Sequence, residues 1–199
     1  MKYVKILSLA AVAAMALMAF AASSASATAL YEGATKLSAT ATLEFSIPSG
    51  SSALLVDTSG NTLDKCTGST VEGTLSSNGP TTVTGTNNSI TWTGCTFTTK
   101  TLTPGKLTVE QIGSTTNGTV KSDAQIEVTI NTVLFGSCIY GVASGTDLGT
   151  ITTFASGAAT FDANAVAKRF GSNFACPETS KWTGSYVSTK PVNLRVEAS

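Results

Sequence analysis

General acid–base or nucleophilic work near neutral pH needs a suitably ionising side chain, and this 199-residue chain has no histidine. Ser-His-Asp and Cys-His sites are therefore excluded. No Ser-x-x-Lys occurs either, which removes one serine–lysine arrangement. No glycine-rich phosphate loop stands between a strand pattern and a helix pattern. What remains is a set of four cysteines, Cys66, Cys95, Cys138 and Cys176, and 12 acidic residues. A zinc site would need all four widely spaced thiolates, with no Cys-x-x-Cys and no imidazole to help. In an exported chain these cysteines form disulfides and lack a free thiolate. Three pairings are possible. The sequential one, Cys66–Cys95 with Cys138–Cys176, closes the shortest loops and is the expected one. In the chain-entropy picture each bridge is worth up to about 3.5–4 kcal/mol.

The carboxylates allow three readings. A glycosidase would need two of them facing each other in a cleft, and no pair stands out among acids scattered singly along the chain. Asp57-Thr58 resembles the start of the Asp-Thr-Gly of pepsin-like proteases. It departs from that pattern because Ser59 occupies the glycine position, and no second such motif supplies the partner carboxylate. Asp57, Ser59, Asn61 and Asp64 could together offer oxygens to calcium. A hairpin turn accounts for the same residues, with Asp57 opening it and Gly60-Asn61 supplying positive φ. Strand alternation would place most acids on the wet face, so Asp57, Asp64, Asp123 and Asp147 are expected to be ionised and inert. No catalytic residue, metal site or cofactor is expected. Asn87 and Asn117 head glycosylation sequons, which a bacterial export route would leave unused.

The compartment is read from the N-terminus. Lys2 and Lys5 precede an uncharged, largely apolar run from Ile6 to Ala22, and Ala25-Ser26-Ala27 fits the small-residue rule for signal peptidase. Residues 1–27 are thus read as a signal peptide and 28–199 as a single secreted domain, with the cut between Ala27 and Thr28. No cysteine follows the apolar run to carry a lipid, and no later segment is long and apolar enough to span a bilayer. Only 12% of residues are charged, and the basic and acidic totals are equal at 12 each. Losing Lys2 and Lys5 leaves acids in slight excess. A nucleic-acid partner would need a basic stripe, and Lys168-Arg169 is the only basic doublet.

A chain crowded with Thr, Ser, Asn and Gly is either disordered or an exposed sheet, where Thr packs well. Periodicity favours the sheet. Leu37, Ala39, Ala41 and Leu43 alternate, and segments such as "SITWTGC", "AQIEVTI" and "VNLRVE" suit short strands. Turn signals at 77–80, 86–88, 103–105 and 115–118 separate them. The expected architecture is an all-β antiparallel sandwich of Ig-like or Greek-key type. One segment resists: Phe161–Gly171 has a capping Asp162, a basic end and a terminal Gly171, and its alanines favour helix. As a strand, it would put Phe161, Ala163, Ala165 and Ala167 on one face.

The only two tryptophans, Trp92 and Trp182, are each followed by Thr-Gly. Two similar strands with a packed Trp explain this, and so does a fold of two pseudo-repeated halves, each with its own disulfide. Trp92 and Trp182 are candidates for core aromatics or for binding aromatics. The segments "CTGSTVEGTLSS", "ITWTGCTF", "CIYGVASGTDLGTIT" and "FACPETSKWTGSYV" resemble a group of exported, Thr/Ser-rich, four-cysteine proteins of soil actinobacteria. That resemblance covers roughly Cys66 to the C-terminus. It implies an all-β fold with a strand before Cys176, and it brings no activity with it. The expected role is non-enzymatic binding, adhesion or structure in the cell envelope or outside the cell, with a cell-surface or glycan ligand. The alternative is a secreted glycosidase-like hydrolase using two carboxylates. N-terminal sequencing of exported protein is expected to begin at Thr28, and retention of Met1 would overturn the cleavage reading.

Overall fold

Alternating apolar and hydroxyl side chains become strands along nearly the whole chain. The structure, a computed structural model, describes residues 27–79, 81–154 and 157–199; the expected signal peptide, apart from Ala27, lies outside them. Among the described residues there are fifteen strands and no helix. They are β1 (Thr28–Glu32), β2 (Thr35–Lys36), β3 (Thr42–Ser46), β4 (Ala53–Asp57), β5 (Thr62–Asn78), β6 (Val83–Cys95), β7 (Thr98–Thr103) and β8 (Lys106–Gln111). There follow β9 (Gly118–Ala124), β10 (Ile126–Thr132), β11 (Gly136–Val142), β12 (Asp147–Thr152), β13 (Thr160–Phe170), β14 (Thr179–Lys190) and β15 (Leu194–Ala198). Neighbouring strands pair antiparallel throughout, as the turn spacing leads one to expect.

The expected sandwich is corrected to a barrel. β5, β6, β8, β9, β12, β13 and β14 follow one another around the wall, and β3 pairs with both β14 and β5 to close an eight-stranded ring. Further along, β4 makes the same bridge. Both architectures bury one face of each strand, so alternation reads alike in either, and only this double bridging distinguishes them.

Four long strands, β5, β6, β13 and β14, carry the barrel from end to end, and the wall between them changes strands midway. β13 pairs with β12 through Thr160–Ala163 and with β11 through Lys168–Phe170. β9 and β10 lie behind these, and β8 and β7 beyond. β6 has a ladder to β8 but none to β7. Side chains seal that seam. Trp92 Nε1 donates to Thr101 Oγ1 at 3.0 Å, and Thr101 Oγ1 donates to the Ile90 carbonyl at 2.7 Å. Asp64 accepts from Phe97 N at 3.1 Å, Lys65 N at 2.9 Å and Thr99 Oγ1. Asp64 is only 4% exposed, so its expected place on the wet face is corrected. Phe97 and Thr99 belong to the chain just before and within β7, so Asp64 ties that chain to β5.

The Phe161–Gly171 segment is strand up to Phe170, against its local helical preference. Phe161, Ala163, Ala165 and Ala167 face inward and are all buried, while Asp162, Asn164, Val166 and Lys168 face out. Alanine is needed here because the facing interior holds large rings. Ala165 lies opposite Trp182 across the β13–β14 ladder. Trp92 packs edge-on against Trp182 at 5.9 Å, Trp182 against Tyr186 at 5.9 Å, Tyr186 on Phe161 at 6.0 Å, and Phe161 against Phe45 at 6.3 Å.

The two Trp-Thr-Gly segments thus meet one another, but their glycines do different things. Gly94 has φ +57°, and a Cβ there would collide with Thr67 Oγ1. Gly184 has an ordinary conformation and yields space to Ile47, Ala53 and Tyr186. The disulfides also differ in setting. Cys66 and Cys95 face each other across the β5–β6 ladder, whereas Cys138 in β11 reaches Cys176 in the turn between β13 and β14. The disulfide settings and the glycine roles do not repeat between the two segments.

A small sheet of β15, β1 and β2 covers one end of the barrel, burying Leu30, Leu194 and Val196 completely. Asn78 pins it there: its Oδ1 accepts from Leu30 N, and its Nδ2 donates to the Leu30 and Leu37 carbonyls. Deep in the barrel, burial pushes the Tyr186 phenol up to about 12, although its bond to Ser69 at 3.1 Å acts the other way. The unfolded chain releases this proton near pH 10. Stability is therefore complete below pH 10 and falls as pH rises from 10 towards 12, by up to about 1.4 kcal/mol per pH unit for this group. Denaturant titrations across that range are expected to give a shallower alkaline loss for Tyr186→Phe than for the parent. Equal slopes would contradict the burial argument.

Candidate functional site

At the barrel end opposite the β1–β15 sheet, two loops meet. One is the tip of the β10–β11 hairpin, Thr132-Val133-Leu134-Phe135-Gly136; the other is the β13–β14 turn, which contains Asn173, Phe174 and Cys176. Gly136 has φ +70°, which lets the hairpin reverse. Thr132 Oγ1 accepts from Phe135 N at 2.9 Å and donates to the Gly136 carbonyl at 3.2 Å. Asn173 Nδ2 crosses between the loops to the Phe135 and Ser137 carbonyls at 2.6 and 3.0 Å. The Cys138–Cys176 bridge locks the same junction covalently.

This braced end turns its apolar side chains outward. Val133 is 88% exposed, Leu134 85% and Phe174 81%, with Phe135 partly exposed beside them. Arg169 lies against the Phe174 ring, its guanidinium 5.0 Å from the ring centre, and it donates to the Cys176 carbonyl at 2.6 Å. Single exposed apolar residues elsewhere, such as Leu102 and Val192, are ordinary; this cluster is the candidate interaction surface. Beneath the tip is an apolar cavity of about 140 Å³, lined by Leu63, Phe97, Ile130, Leu134, Phe135 and Tyr140 among others. The Tyr140 hydroxyl is buried without a hydrogen-bond partner, and burial pushes its phenol up to about 12.

The sequence reading did not single out this tip. Asn131–Ser137 fell between two expected strands, and the available signal was three successive apolar residues in a turn that ends in glycine. The residues it did single out lie elsewhere. Trp92 and Trp182 pack on the core. Asp57 heads the expected turn: its Oδ1 accepts from Ser59 N and Asn61 N and its Oδ2 from Asn61 Nδ2, each at 2.8 Å, with Gly60 at φ +86°. The Asn61 amide holds the Asp57 carboxyl below its ordinary value. Asp64 points into the barrel, so the four oxygens considered for calcium do not converge. Asp64 does lie beside the Cys66 and Cys95 sulfurs, but these are bonded to each other and offer no thiolate. Asn87 is buried and donates to the Pro104 carbonyl.

Asp123 is exposed, and so is Asp147, which shares an open hollow with Asp162, Thr119, Thr150 and Asn164. Asp162 accepts from Ser185 Oγ at 2.6 Å. This hollow lies on the barrel wall rather than in a deep cleft.

No family model, curated protein or solved structure matches the chain.

The core and the tip are separable by stability. Trp182→Ala is expected to cost about 3–5 kcal/mol through the cavity it leaves, whereas Leu134→Ser should stay within about 0.5 kcal/mol of the parent. Chemical denaturation of both variants checks this. A severe loss from Leu134→Ser would make the tip part of the core.

Proposed function

We propose that this is an exported, non-enzymatic binding protein whose contact surface is the disulfide-braced apolar tip. The observation that carries the reading is the outward exposure of Val133, Leu134 and Phe174 on a surface otherwise rich in hydroxyls. Two disulfides suit an oxidising, extracellular setting. Secretion through the cut before Thr28, a place in the bacterial envelope or outside it, and kinship with the exported four-cysteine proteins belong to the same proposal.

The rival hydrolase would rest on Asp147 and Asp162, the acids that share a hollow. Both are exposed in an open hollow on the barrel wall, with no deep cleft to hold a glycan chain between two facing carboxyls. The binding reading is therefore preferred.

The test is adsorption of purified protein to intact bacterial cells and isolated envelope. Leu134→Ser combined with Phe174→Ser is expected to lower the bound fraction about tenfold or more, which follows from the burial of two large apolar side chains. Undiminished adsorption would overturn the site. Turnover of a polysaccharide that is lost in Asp162→Asn would establish the hydrolase instead.

A further inference from the structure

We infer that the ligand of this tip is the headgroup–acyl boundary of an anionic lipid bilayer. The inference rests on the binding reading above and names its ligand. Three features of the tip favour a lipid surface over a folded partner.

The first is shape. Val133 and Leu134 stand at the extremity of a two-stranded hairpin and Phe174 on the neighbouring turn, all more than four-fifths exposed. A projecting knob needs a matching socket in a protein, whereas fluid acyl chains close around it without one.

The second is the state of the backbone. Hydrocarbon offers no hydrogen bonds, so a segment that enters it must satisfy its polar groups internally. Here Phe135 N, Phe135 O and Gly136 O are bonded within the two loops, and Ala175 N is taken by Asn173 Oδ1 at 3.2 Å, so the base of the tip is satisfied. Among the described residues, the backbones of Val133, Leu134 and Phe174 are not bonded in this way, which limits entry to the hydrated headgroup–acyl boundary with only the side chains passing deeper. The side chains of Thr132 and Asn173 are used up in making these bonds. The apolar side chains are thereby left as the outward chemistry.

The third is charge. No charged residue occurs between Glu127 and Asp147, or between Arg169 and Glu178. The cations come just behind the tip: Arg169, stacked on Phe174, with Lys168 and Lys181 exposed on the adjoining strands. Such an order, apolar at the extremity and basic at its base, matches the order of acyl chain and phosphate in a membrane interface. Exposed Glu178 and partly exposed Asp57 also stand at this end, and the amides around Asp57, that of the Asn61 side chain foremost, hold its carboxyl below its ordinary value. These two acids offset part of the basic charge and leave the apolar extremity as the main attraction. The Cys138–Cys176 bridge and Asn173 hold the loops before contact, so little ordering is required on binding.

The experiment is co-sedimentation of the purified chain 28–199 with sucrose-loaded vesicles. One set is pure phosphatidylcholine; the other is phosphatidylcholine with about a third phosphatidylglycerol, a composition chosen for its negative surface. Binding is expected to the anionic vesicles, to weaken as salt is raised, and to fall about tenfold or more in Leu134→Ser/Phe174→Ser. Lys168→Gln/Lys181→Gln should reduce the preference for anionic over neutral vesicles. In Leu134→Trp, the added emission should shift to the blue on anionic vesicles. Melting curves establish that each variant is folded, and Val133→Ser serves as a milder tip variant should the double one fail to fold. Equal sedimentation of parent and tip variants, or none with either vesicle, would overturn the lipid assignment. If vesicles fail while adsorption to cells still depends on Leu134 and Phe174, the binding reading stands and the ligand is a protein or glycan. If neither depends on them, both readings fall together.

Discussion

Five aromatic rings in contact, running from Trp92 through Trp182, Tyr186 and Phe161 to Phe45, are the interaction on which the rest of this barrel depends. The chain has few large apolar side chains to spend on a core, and most of its residues are small or hydroxylated. Rings of this size fill a lumen that eight strands would otherwise leave loose. They do so only if the wall beside them is thin. Ala163, Ala165 and Ala167 on β13 and Gly184 on β14 provide that thin wall. Large rings and small neighbours are thus one packing solution written on two adjacent strands.

The same column explains how the wall changes strands midway. β5, β6, β13 and β14 pass through both parts of the barrel, and the rings on β6, β13 and β14, with Phe45 on β3, make the two parts one core. The shorter strands need only complete the circumference at each level. Where they fail to do so, between β6 and β7, polar side chains replace the missing ladder. A buried carboxylate is costly unless its oxygens are bonded. Asp64 is bonded to two backbone amides and a threonine hydroxyl. These bonds draw Phe97 and Thr99 to β5 and position the start of β7, which in turn pairs with β10. The hairpin that carries Val133 and Leu134 is therefore aimed by a chain of contacts that begins at Asp64.

Much of this was legible in the residues. Alternation marked the strands, and the shortest-loop pairing of the cysteines is the pairing present. The turn at Asp57 followed from its own chemistry. What was not legible is non-local. Barrel closure depends on β3 and β4 each touching both β5 and β14, and no residue pattern within a strand encodes that. The Phe161–Gly171 segment displayed its alternation openly, yet alanine scores for helix because propensity measures an isolated chain. The inward alanines make sense only once Trp182 and Tyr186 are known to face them. Asp64 was assigned to water on the same local grounds, although its place is dictated by Phe97 and Thr99, more than thirty residues away.

The tip is the converse case, because its chemistry is local and its meaning is not. Three consecutive apolar residues read as a fragment of core, and a hairpin long enough to project them beyond the core cannot be inferred from them. The structure spends covalent and polar bonds on keeping them outside: a disulfide, an asparagine bonded to two carbonyls of the neighbouring loop, and a threonine closing the turn. Were the tip a packing error or a passive loop, that bracing would have nothing to hold in place. Leu134 and Phe135 also line the cavity over Tyr140, so the hairpin has apolar contact available inward as well as outward. The bracing holds Val133 and Leu134 in the outward position, at the cost of exposed apolar surface that water alone does not compensate. An environment less polar than water is what compensates it, and the uncharged stretches of the two loops, 128–146 and 170–177, make the fluid boundary of a bilayer the environment best matched to the whole end of the barrel.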